Sequence, residues 1–357
     1  MIYIHVPFCK SFCTYCGFYS ELCRSGDSPE VQKFLSGLKR EICRRRPEID
    51  AARAVSPHSL YIGGGTPSIL SVADIADIVE TLGYCGYEEL TIEVNPDDIV
   101  KNGKGYVTDL LSLGVNRISM GVQSMDDGVL RWMNRRHNAT EAVEAYDIIR
   151  SAGVRNVSLD LIFGISLMSD GQWADSVGRV VALHPEHISA YQLSVEDDSA
   201  LGRMVREGKY SEASDDFCRK QYDYLCNILR DAGYEHYEIS NFALSGRRAL
   251  HNSAYWKRTP YVGLGPGAHS FDGKTRSWNS DEIDYKAGFE ILSEIESREE
   301  TIMLGLRTSD GLDESLLPDS PERRRLISEG SLEISEGKVR IPETQFFVSD
   351  NIISQLI

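Results

Sequence analysis

Three of the eight cysteines lie within eight residues of one another, at Cys9, Cys13 and Cys16. In a reducing compartment, clustered cysteines are typical of metal or redox chemistry rather than of disulfides. Three thiolates in one loop can cover one face of a metal centre and leave a coordination position open. The other cysteines are scattered along the chain, and we assign no role to them: Cys23, Cys43, Cys85, Cys218 and Cys226.

Two kinds of metal centre fit this spacing to different degrees. A structural zinc site takes four ligands. His5 is the candidate for the fourth, but it lies in the strand-like run IYIHVP, apart from the loop. A [4Fe–4S] cluster also normally takes four cysteines, so a set of three leaves one iron free to bind another ligand. We expect the cluster, with zinc as the weaker alternative.

Net charge and apolar run length exclude two classes of function. The 357 residues include 38 Lys and Arg against 54 Asp and Glu, a formal net charge of −16, so nucleic acid is repelled on average. No apolar run approaches the roughly 18 to 20 residues that span a bilayer, and the start lacks a basic segment followed by an apolar one. We expect a cytoplasmic protein. Peripheral membrane contact and the oligomeric state stay open.

The elements that must position the cysteine loop are short β-type runs alternating with helical patterns. Six strands are predicted, at residues 2–6, 59–63, 89–94, 117–122, 156–164 and 187–195. Helical periodicity is clearest at residues 29–45, 72–82, 127–135, 139–153 and 215–233. Gly153 and Gly233 occupy plausible helix C′ positions. Strands separated by single helices imply parallel pairing, in an open doubly wound sheet or a partial barrel, which periodicity alone does not separate.

The alternation of strand and helix patterns ends after about residue 235. The aromatic- and Gly-rich stretch 234–271 predicts a loop-rich extension. Beyond it, a helix at 295–306, a second near 313–329, a hairpin at 332–341 and a final helix predict a small winged-helix-like appendage. Acidic residues outnumber basic ones nine to five between 312 and 357, which argues against DNA docking. The expected domains are 1–235, 236–290 and 291–357.

Polar residues at strand ends are the remaining candidates for a site. The run Gly63-Gly64-Gly65-Thr66-Pro67 follows a strand, where it can be a simple tight turn or can offer backbone amides to a polar ligand. Glu93 and Asp160 interrupt strands that are otherwise apolar. A charge in a buried parallel strand is rarely solvated surface, and at a barrel mouth it indicates ligand binding, although a structural ion pair is the alternative.

The cysteine spacing after a first strand, followed by GGGTP after the second, resembles the radical S-adenosylmethionine (SAM) proteins. The segments YIHVPFC, IGGGTPS, EVNP, GVQS, LDLIFG and HNSAYW are similar to the coproporphyrinogen dehydrogenase-like subgroup, over nearly the whole chain. The resemblance implies a partial (β/α)6 TIM-like barrel, with a [4Fe–4S] cluster on the three cysteines and SAM on the open iron. The positions that match the SAM site are Tyr3, Tyr15, Gly64, Gly65, Thr66, Glu93, Gln123, Arg135, Asp160 and Ser194.

These residue types suit the chemistry of SAM, which has a sulfonium cation, a ribose diol and an amino-acid end. Glu93 and Asp160 suit the diol or the sulfonium, and Arg135 suits a carboxylate.

Within the subgroup, the chain resembles the HemW-type haem chaperones more than the oxygen-independent coproporphyrinogen III dehydrogenases. It has Cys16-Gly17-Phe18 where the dehydrogenases have a fourth cysteine, its first strand begins at Ile2 without a long preceding segment, and it contains HNxxYW at 251–256. The resemblance implies a protein that binds haem, a cluster and SAM and transfers haem to acceptors such as respiratory enzymes. Oxidative decarboxylation of coproporphyrinogen III is the alternative, so whether the protein is an enzyme stays open.

Haem is a flat, hydrophobic dianion whose iron accepts an imidazole, and an aromatic cleft with one histidine suits it. His251, in HNxxYW, is the first candidate for the axial ligand, and His269, in GPGAHS, is the second.

Overall fold

The structure is a computed structural model that describes residues 1–83, 86–281 and 287–357. Cys85, and the part of the expected extension at 282–286, lie outside the described residues. The described chain contains both strands and helices. The strands are β1 Ile2–Val6, β2 Phe8–Cys9, β3 Glu21–Leu22, β4 Ser59–Gly64, β5 Glu89–Val94, β6 Arg117–Gln123, β7 Val157–Phe163, β8 His187–Gln192, β9 Glu235–Glu238, β10 Asn241–Ala243, β11 Val262–Leu264, β12 His269–Phe271, β13 Thr275–Asn279, β14 Ala287–Ile291, β15 Leu312–Asp313, β16 Glu333–Ser335 and β17 Lys338–Arg340.

Helices follow most of the strands of the first two-thirds. They are α1 Pro29–Arg44, α2 Arg46–Arg53, α3 Val72–Leu82, α4 Pro96–Ser112, α5 Asp127–Trp132, α6 Ala139–Ala152, α7 Asp170–Ala182, α8 Ala200–Arg206, α9 Asp215–Asp231, α10 Leu250–Trp256, α11 Glu294–Leu306, α12 Pro321–Ser328 and α13 Ser349–Ile353. None of the helices in the described ranges is both long and apolar enough to cross a bilayer.

A nine-stranded sheet in the order β11-β1-β4-β5-β6-β7-β8-β10-β9 forms the centre of the fold. The six predicted strands correspond to β1 and β4 to β8, and they pair in parallel in chain order. Helices connect them, as expected for the (β/α)6 unit of a partial barrel. The α/β prediction is confirmed.

The strands bury an apolar face and turn a polar face inward. Along β5, Leu90, Ile92 and Val94 belong to the hydrophobic core. Glu89 and Glu93 occupy alternate positions, so they lie on the opposite face, which we call the lumen. Barrels of this general type usually fill the lumen with branched apolar side chains. A lumen with carboxylates at these positions is therefore built for polar contacts.

Local sequence signals explain most of the helix ends. Ser71 and Asp74 form a capping box at the start of α3, and Gly83 ends that helix with φ 72°. Asn138 and Glu141 do the same for α6, which ends at Gly153 with φ 104°. A left-handed conformation at the helix end favours glycine because it has no Cβ.

The extension is more regular than the sequence predicts. β9, β10 and β11 all join the central sheet, so the boundary expected at 235 falls inside that sheet. β12, β13 and β14 form a separate antiparallel sheet, joined to β11 by a bridge between Tyr261 and Phe271. These strands have only three to five residues each, too few to produce a clear period-2 signal.

The C-terminal part contains α11, the predicted hairpin as β16 and β17, and a short last helix. The single helix expected near 313–329 is wrong. A 3-10 turn at Glu314–Leu316 and α12 replace it. Pro318 explains the break, because a residue that precedes proline is disfavoured in the helical conformation, and Leu317 is extended with ψ 111°.

Candidate functional site

The three clustered cysteines lie just beyond the end of β1, at the carboxyl edge of the parallel strands. Cys9 ends β2, and Cys13 and Cys16 lie in the loop that follows. Thr14 fixes this loop to the end of α5, since its amide donates to the Met133 carbonyl oxygen at 3.0 Å. Asn134 Nδ2 donates to the carbonyl oxygen of Phe12 at 2.7 Å. The loop is therefore held in place by protein contacts alone.

A second anchor connects the loop to the neighbouring strands through Asp98, which is 1% exposed. Lys10, between the first two cysteines, forms an ion pair with its carboxylate. Ser68 Oγ donates to Asp98 Oδ2 at 2.8 Å, and Arg136 Nη2 lies 3.2 Å from the same oxygen. Asp98 thus joins the cysteine loop, the turn after β4 and the segment after α5. We call these four residues the Asp98 clamp.

The thiols are half-buried and contact few other polar groups. Thr66 Oγ1 donates to Cys9 Sγ at 3.6 Å, and Arg135 Nη1 donates to Cys13 Sγ at 3.4 Å. Burial raises the pKa of Cys9, and it raises the pKa of Cys16 to about 11. These shifts reflect loss of hydration of the thiolates in the protein alone, and a positive iron centre would favour the thiolate form.

The glycine turn at the end of β4 packs closely against His5 and Phe8. Gly64 has φ 113°, and a Cβ there would lie 2.7 Å from the His5 ring. A Cβ on Gly65 would lie 2.6 Å from the carbonyl oxygen of Phe8. Only glycine fits either position. The turn therefore lies directly against the strand that leads into the cysteine loop.

Glu93 on β5 and Asp160 on β7 both lie on the lumen face, close enough for the charge of one to act on the other. Glu93 Oε1 accepts a hydrogen bond from Tyr61 at 2.7 Å, and its Oε2 accepts one from the Gly64 amide at 3.1 Å. Burial raises the pKa of Glu93 to about 7, and the charge of Asp160 acts in the same direction. Burial also raises the pKa of Asp160. Two carboxylates in one poorly hydrated space favour a cation between them.

Arg135 connects the cysteines to the rim of β6. Its Nη2 donates to Asn95 Oδ1 and to the carbonyl oxygen of Gly121, both at 2.7 Å. Its Nε is buried and has no hydrogen-bond partner within the described part of the chain. Gln123, at the end of β6, has φ 67° beside a register shift. A guanidinium with an unused N–H beside the thiols can donate a hydrogen bond to a carboxylate.

Ser194 is more peripheral than the other expected SAM residues. Its Oγ donates to Glu196 Oε1 at 2.9 Å, and both side chains are exposed. Glu196 in turn packs on the cysteine loop, since a Cβ on Gly17 would lie 2.6 Å from its Cγ. The expected residues at or beyond the carboxyl ends of their strands, or in the adjoining loops, are Tyr15, Gly64, Gly65, Thr66, Gln123, Arg135 and Ser194. Tyr3, Glu93 and Asp160 lie within β1, β5 and β7, with Tyr3 nearest to the amino end.

The residues at this end suit a [4Fe–4S] cluster and SAM. No three His, Cys, Asp or Glu side chains in the described ranges converge tightly enough for a single metal ion. The three cysteines still influence one another, since Cys9 and Cys13 both raise the pKa of Cys16. Three thiols without a fourth protein ligand suit a [4Fe–4S] cluster with one open iron better than a closed zinc site. The unused Arg135 Nε and the Glu93–Asp160 pair match the carboxylate and the cation of SAM.

His251 does not lie in an open cleft, which corrects the sequence-based expectation. It is 1% exposed, on α10, at the end of the barrel opposite the cysteines. Its Nδ1 lies 2.9 Å from Ser59 Oγ, and its Nε2 lies 3.0 Å from the Tyr255 hydroxyl. Burial lowers the pKa of His251 to about 3. Both ring nitrogens are engaged, so neither is free for an iron in this arrangement.

α10 closes the floor of the barrel. Its first amides, on Leu250 and His251, donate to the Glu89 carboxylate at 2.9 Å and 3.0 Å. The side chain of Ala249 cannot cap the helix, so Glu89 from β5 satisfies the free amides instead. His251 then packs on Tyr61, with ring centroids 5.2 Å apart. The HNxxYW segment therefore closes the floor of the barrel and has a structural role.

Sequence reasoning missed four residues that complete the cysteine end. Tyr61 and Asn95 bind the expected residues Glu93 and Arg135 directly. Lys10 and Asp98 hold the loop. Asn95 lies within the quoted EVNP segment and Tyr61 faces the lumen two positions before Gly63, so both could have been found from motif and strand period. No sequence signal pairs Lys10 with Asp98, which lie 88 residues apart.

Comparison with known proteins identifies the family of the chain. Residues 3–180 match the model of the radical SAM superfamily. The protein called heme chaperone HemW from Mycobacterium tuberculosis strain H37Rv is 31% identical over 378 residues, covering 100% of this chain and 94% of that protein. The chain belongs to the HemW family of radical SAM proteins. A Bos taurus relative, radical S-adenosyl methionine domain-containing protein 1, mitochondrial, is 30% identical over 87% of this chain and 74% of its own length.

The fold of this HemW-family chain also matches a solved structure. Coproporphyrinogen III oxidase (HemN) from Escherichia coli, described as a radical SAM enzyme, superposes with a TM-score of 0.81 at 21% identity and covers 99% of this chain and 89% of its own. At that identity the match concerns the fold alone. The described chain and that protein share one fold over nearly the full length of this chain.

Proposed function

We propose that this protein is a haem chaperone that holds a [4Fe–4S] cluster and SAM and transfers haem to acceptor proteins, such as respiratory enzymes. The observation that carries the proposal is the similarity over the full chain to proteins called heme chaperone HemW. Cytoplasmic placement, with contact to membrane-bound acceptors at the surface, is part of the proposal.

The cysteine end has the groups that such a protein needs for its cofactors. When bound, the cluster supplies an iron with an open coordination position. Cys9, Cys13 and Cys16 would hold it, and the Asp98 clamp keeps their loop in one conformation before loading. Preorganised ligands lower the ordering cost of binding.

The lumen side of the same end would hold SAM. Arg135, with a buried donor to spare, is placed for the carboxylate, and Glu93 with Asp160 for the sulfonium or the diol. Tyr61 and the Gly64 amide fix the orientation of Glu93. These residues bind and orient the cofactor, and they exclude water from its charged centre.

The decisive experiment is haem transfer from the anaerobically reconstituted protein. Haemin is titrated into the cluster-loaded protein, which is then mixed with the apo form of a b-type haem acceptor. We expect one haem bound per chain and its transfer to the acceptor, seen as a change in the absorption spectrum. Robust formation of protoporphyrinogen from coproporphyrinogen III, with SAM and a reductant, would refute the chaperone function and establish the dehydrogenase.

A further inference from the structure

The eight histidines, all of which lie in the described ranges, differ sharply in access to a ligand. Five are buried, and a sixth, His58, is half-buried ahead of β4. The two exposed ones are His184 and His269. His184 follows α7 and precedes β8, so it lies at the amino edge of the parallel strands, away from the cysteines. The buried histidines are His5, His137, His187, His236 and His251.

His269 lies on β12, which packs against β11, the edge strand beside β1. An antiparallel bridge between Tyr261 and Phe271 brings β12 against β11, and a Cβ on Gly263 would lie 1.9 Å from the carbonyl oxygen of His269. A contact this close means that the backbone of His269 lies over Gly263, so β12 crosses β11 and does not extend the central sheet. Gly263 is in register with Tyr3, and Tyr3 with Tyr61, two residues of the SAM side of the lumen. His269 therefore lies near Tyr3 through Gly263.

The next strand, β13, places an indole beside His269. Trp278 is opposite His269 and Gly288 is opposite Trp278. The imidazole and indole rings lie 6.1 Å apart with planes 27° from parallel. A Cβ on Gly288 would lie 2.7 Å from the indole, so the glycine lets Trp278 lie flat across the strand. We call His269 and Trp278 the aromatic platform, in which His269 is exposed and Trp278 is half-buried.

The platform lies beside the cysteine end. Gly267, two residues before His269, packs on the cysteine loop, since a Cβ there would lie 3.6 Å from Tyr19 Cβ. The His269 ring has no hydrogen bond within the described part of the chain. The charged groups that face it are Arg276, Asp281 and Glu290. Partial burial and then Arg276 lower the pKa of His269, which leaves the neutral imidazole at neutral pH.

We propose that His269 is the protein ligand of haem iron and that Trp278 supports the porphyrin beside it. The proposal rests on the proposed function, because it names the site at which the chaperone holds its cargo. Haem iron binds a neutral imidazole, and a flat indole offers the apolar surface that the macrocycle requires. An exposed rim site also suits a chaperone, since the acceptor must reach haem that a buried site would hold too firmly.

The test compares haemin binding by variants of the full-length, cluster-loaded protein. His269→Ala is expected to weaken haemin binding about tenfold or more and to shift the Soret band of the bound haem, because the ligand is lost. His184→Ala is the matched control, an exposed histidine at the other end of the barrel, and it is expected to bind like the wild type. Trp278→Leu is expected to weaken binding while the Soret position stays, because the imidazole ligand remains.

Each outcome decides between the two proposals. If His269→Ala binds haemin with the wild-type affinity and the wild-type Soret position, His269 is not the ligand, and the proposed chaperone function still stands. Failure of the wild type to bind haemin would overturn both. Iron content and circular dichroism of the variants, unchanged from the wild type, show that a loss of haemin binding comes from the ligand and not from unfolding. An equal loss in His184→Ala would identify non-specific haemin binding and also refute the assignment.

Discussion

The two ends of the barrel carry the two most distinctive motifs of the chain, in opposite environments. At the cysteine end, the thiols are half-buried and Arg135 keeps an unused donor. At the floor, His251 is fully enclosed and both of its ring nitrogens have partners. Arg135 beside the thiols still has a donor for a ligand, whereas the His251 ring has both of its nitrogens satisfied within the protein.

This difference separates binding motifs from structural ones. A buried polar group without a partner costs free energy, so it persists where a ligand completes it. A saturated histidine contributes to stability instead. Substitutions at the cysteine end should therefore change cofactor content, and those at the floor should change the free energy of unfolding.

The largest expected effect is loss of iron from Cys13→Ser. Removing one of three thiolates leaves a cluster with too few protein ligands, so we expect the reconstituted variant to retain almost no cluster iron. Iron and sulfide analysis with the visible spectrum measures this. Cys43→Ser, an exposed thiol on α1, is the matched control and should retain wild-type iron. Equal iron loss in both would contradict the division between the three cysteines and the scattered ones.

At the floor, His251→Ala should lower the free energy of unfolding by about 2–4 kcal/mol, because it leaves a cavity and two unpaired hydroxyls on Ser59 and Tyr255. Urea unfolding of the cluster-free protein measures the change. His184→Ala, exposed at the same end of the strands, should change it by less than about 0.5 kcal/mol. If His251→Ala leaves the stability unchanged but abolishes haemin binding, the floor is a ligand site and the comparison fails.

An intermediate effect is expected for the Asp98 clamp. Asp98→Asn removes the charge that holds Lys10 and Arg136, so the cysteine loop should open more often. We expect iron release to a chelator to accelerate several-fold, in line with about 1–2 kcal/mol for a buried charged hydrogen bond. Asp97→Asn is the control, since Asp97 forms its ion pair with Arg136 and Lys10 forms its own with Asp98. Equal release rates in the two variants would show that Lys10 is not the connection that matters.

The smallest expected effect is the pH dependence of SAM binding. The pKa of Glu93 is raised to about 7, so its carboxylate is charged above that pH and neutral below it. A sulfonium binds better to the charged form, and affinity should fall by up to about tenfold from pH 8 to pH 6. Equilibrium dialysis with SAM measures this, and Glu93→Gln should give weak, nearly pH-independent binding. A profile that Glu93→Gln does not flatten would assign the pH dependence to another group.

The sequence predicted the repeating part of the fold well because each signal there is local. α3 has the predicted bounds 72–82, and β5 the predicted bounds 89–94. Hydrophobic period, caps and glycine ends act within a few residues, so they can be read without the fold. The extension was less predictable, because strands such as β10 and β11 have three residues each and form only by pairing with distant partners.

The sequence by itself determined the cysteine set, the glycine turn and the polar positions of the strands, because each is visible in the spacing of residues along the chain. Parallel strands bring their carboxyl ends to one edge of the sheet, so the cysteine loop and the glycine turn were expected to lie close together. The tertiary structure alone decided which histidine has access to a ligand. His251 and His269 are similar in sequence context, each in an aromatic or glycine-rich segment. Their roles separate because α10 buries the ring of His251 in the barrel floor, whereas β12 leaves the ring of His269 exposed.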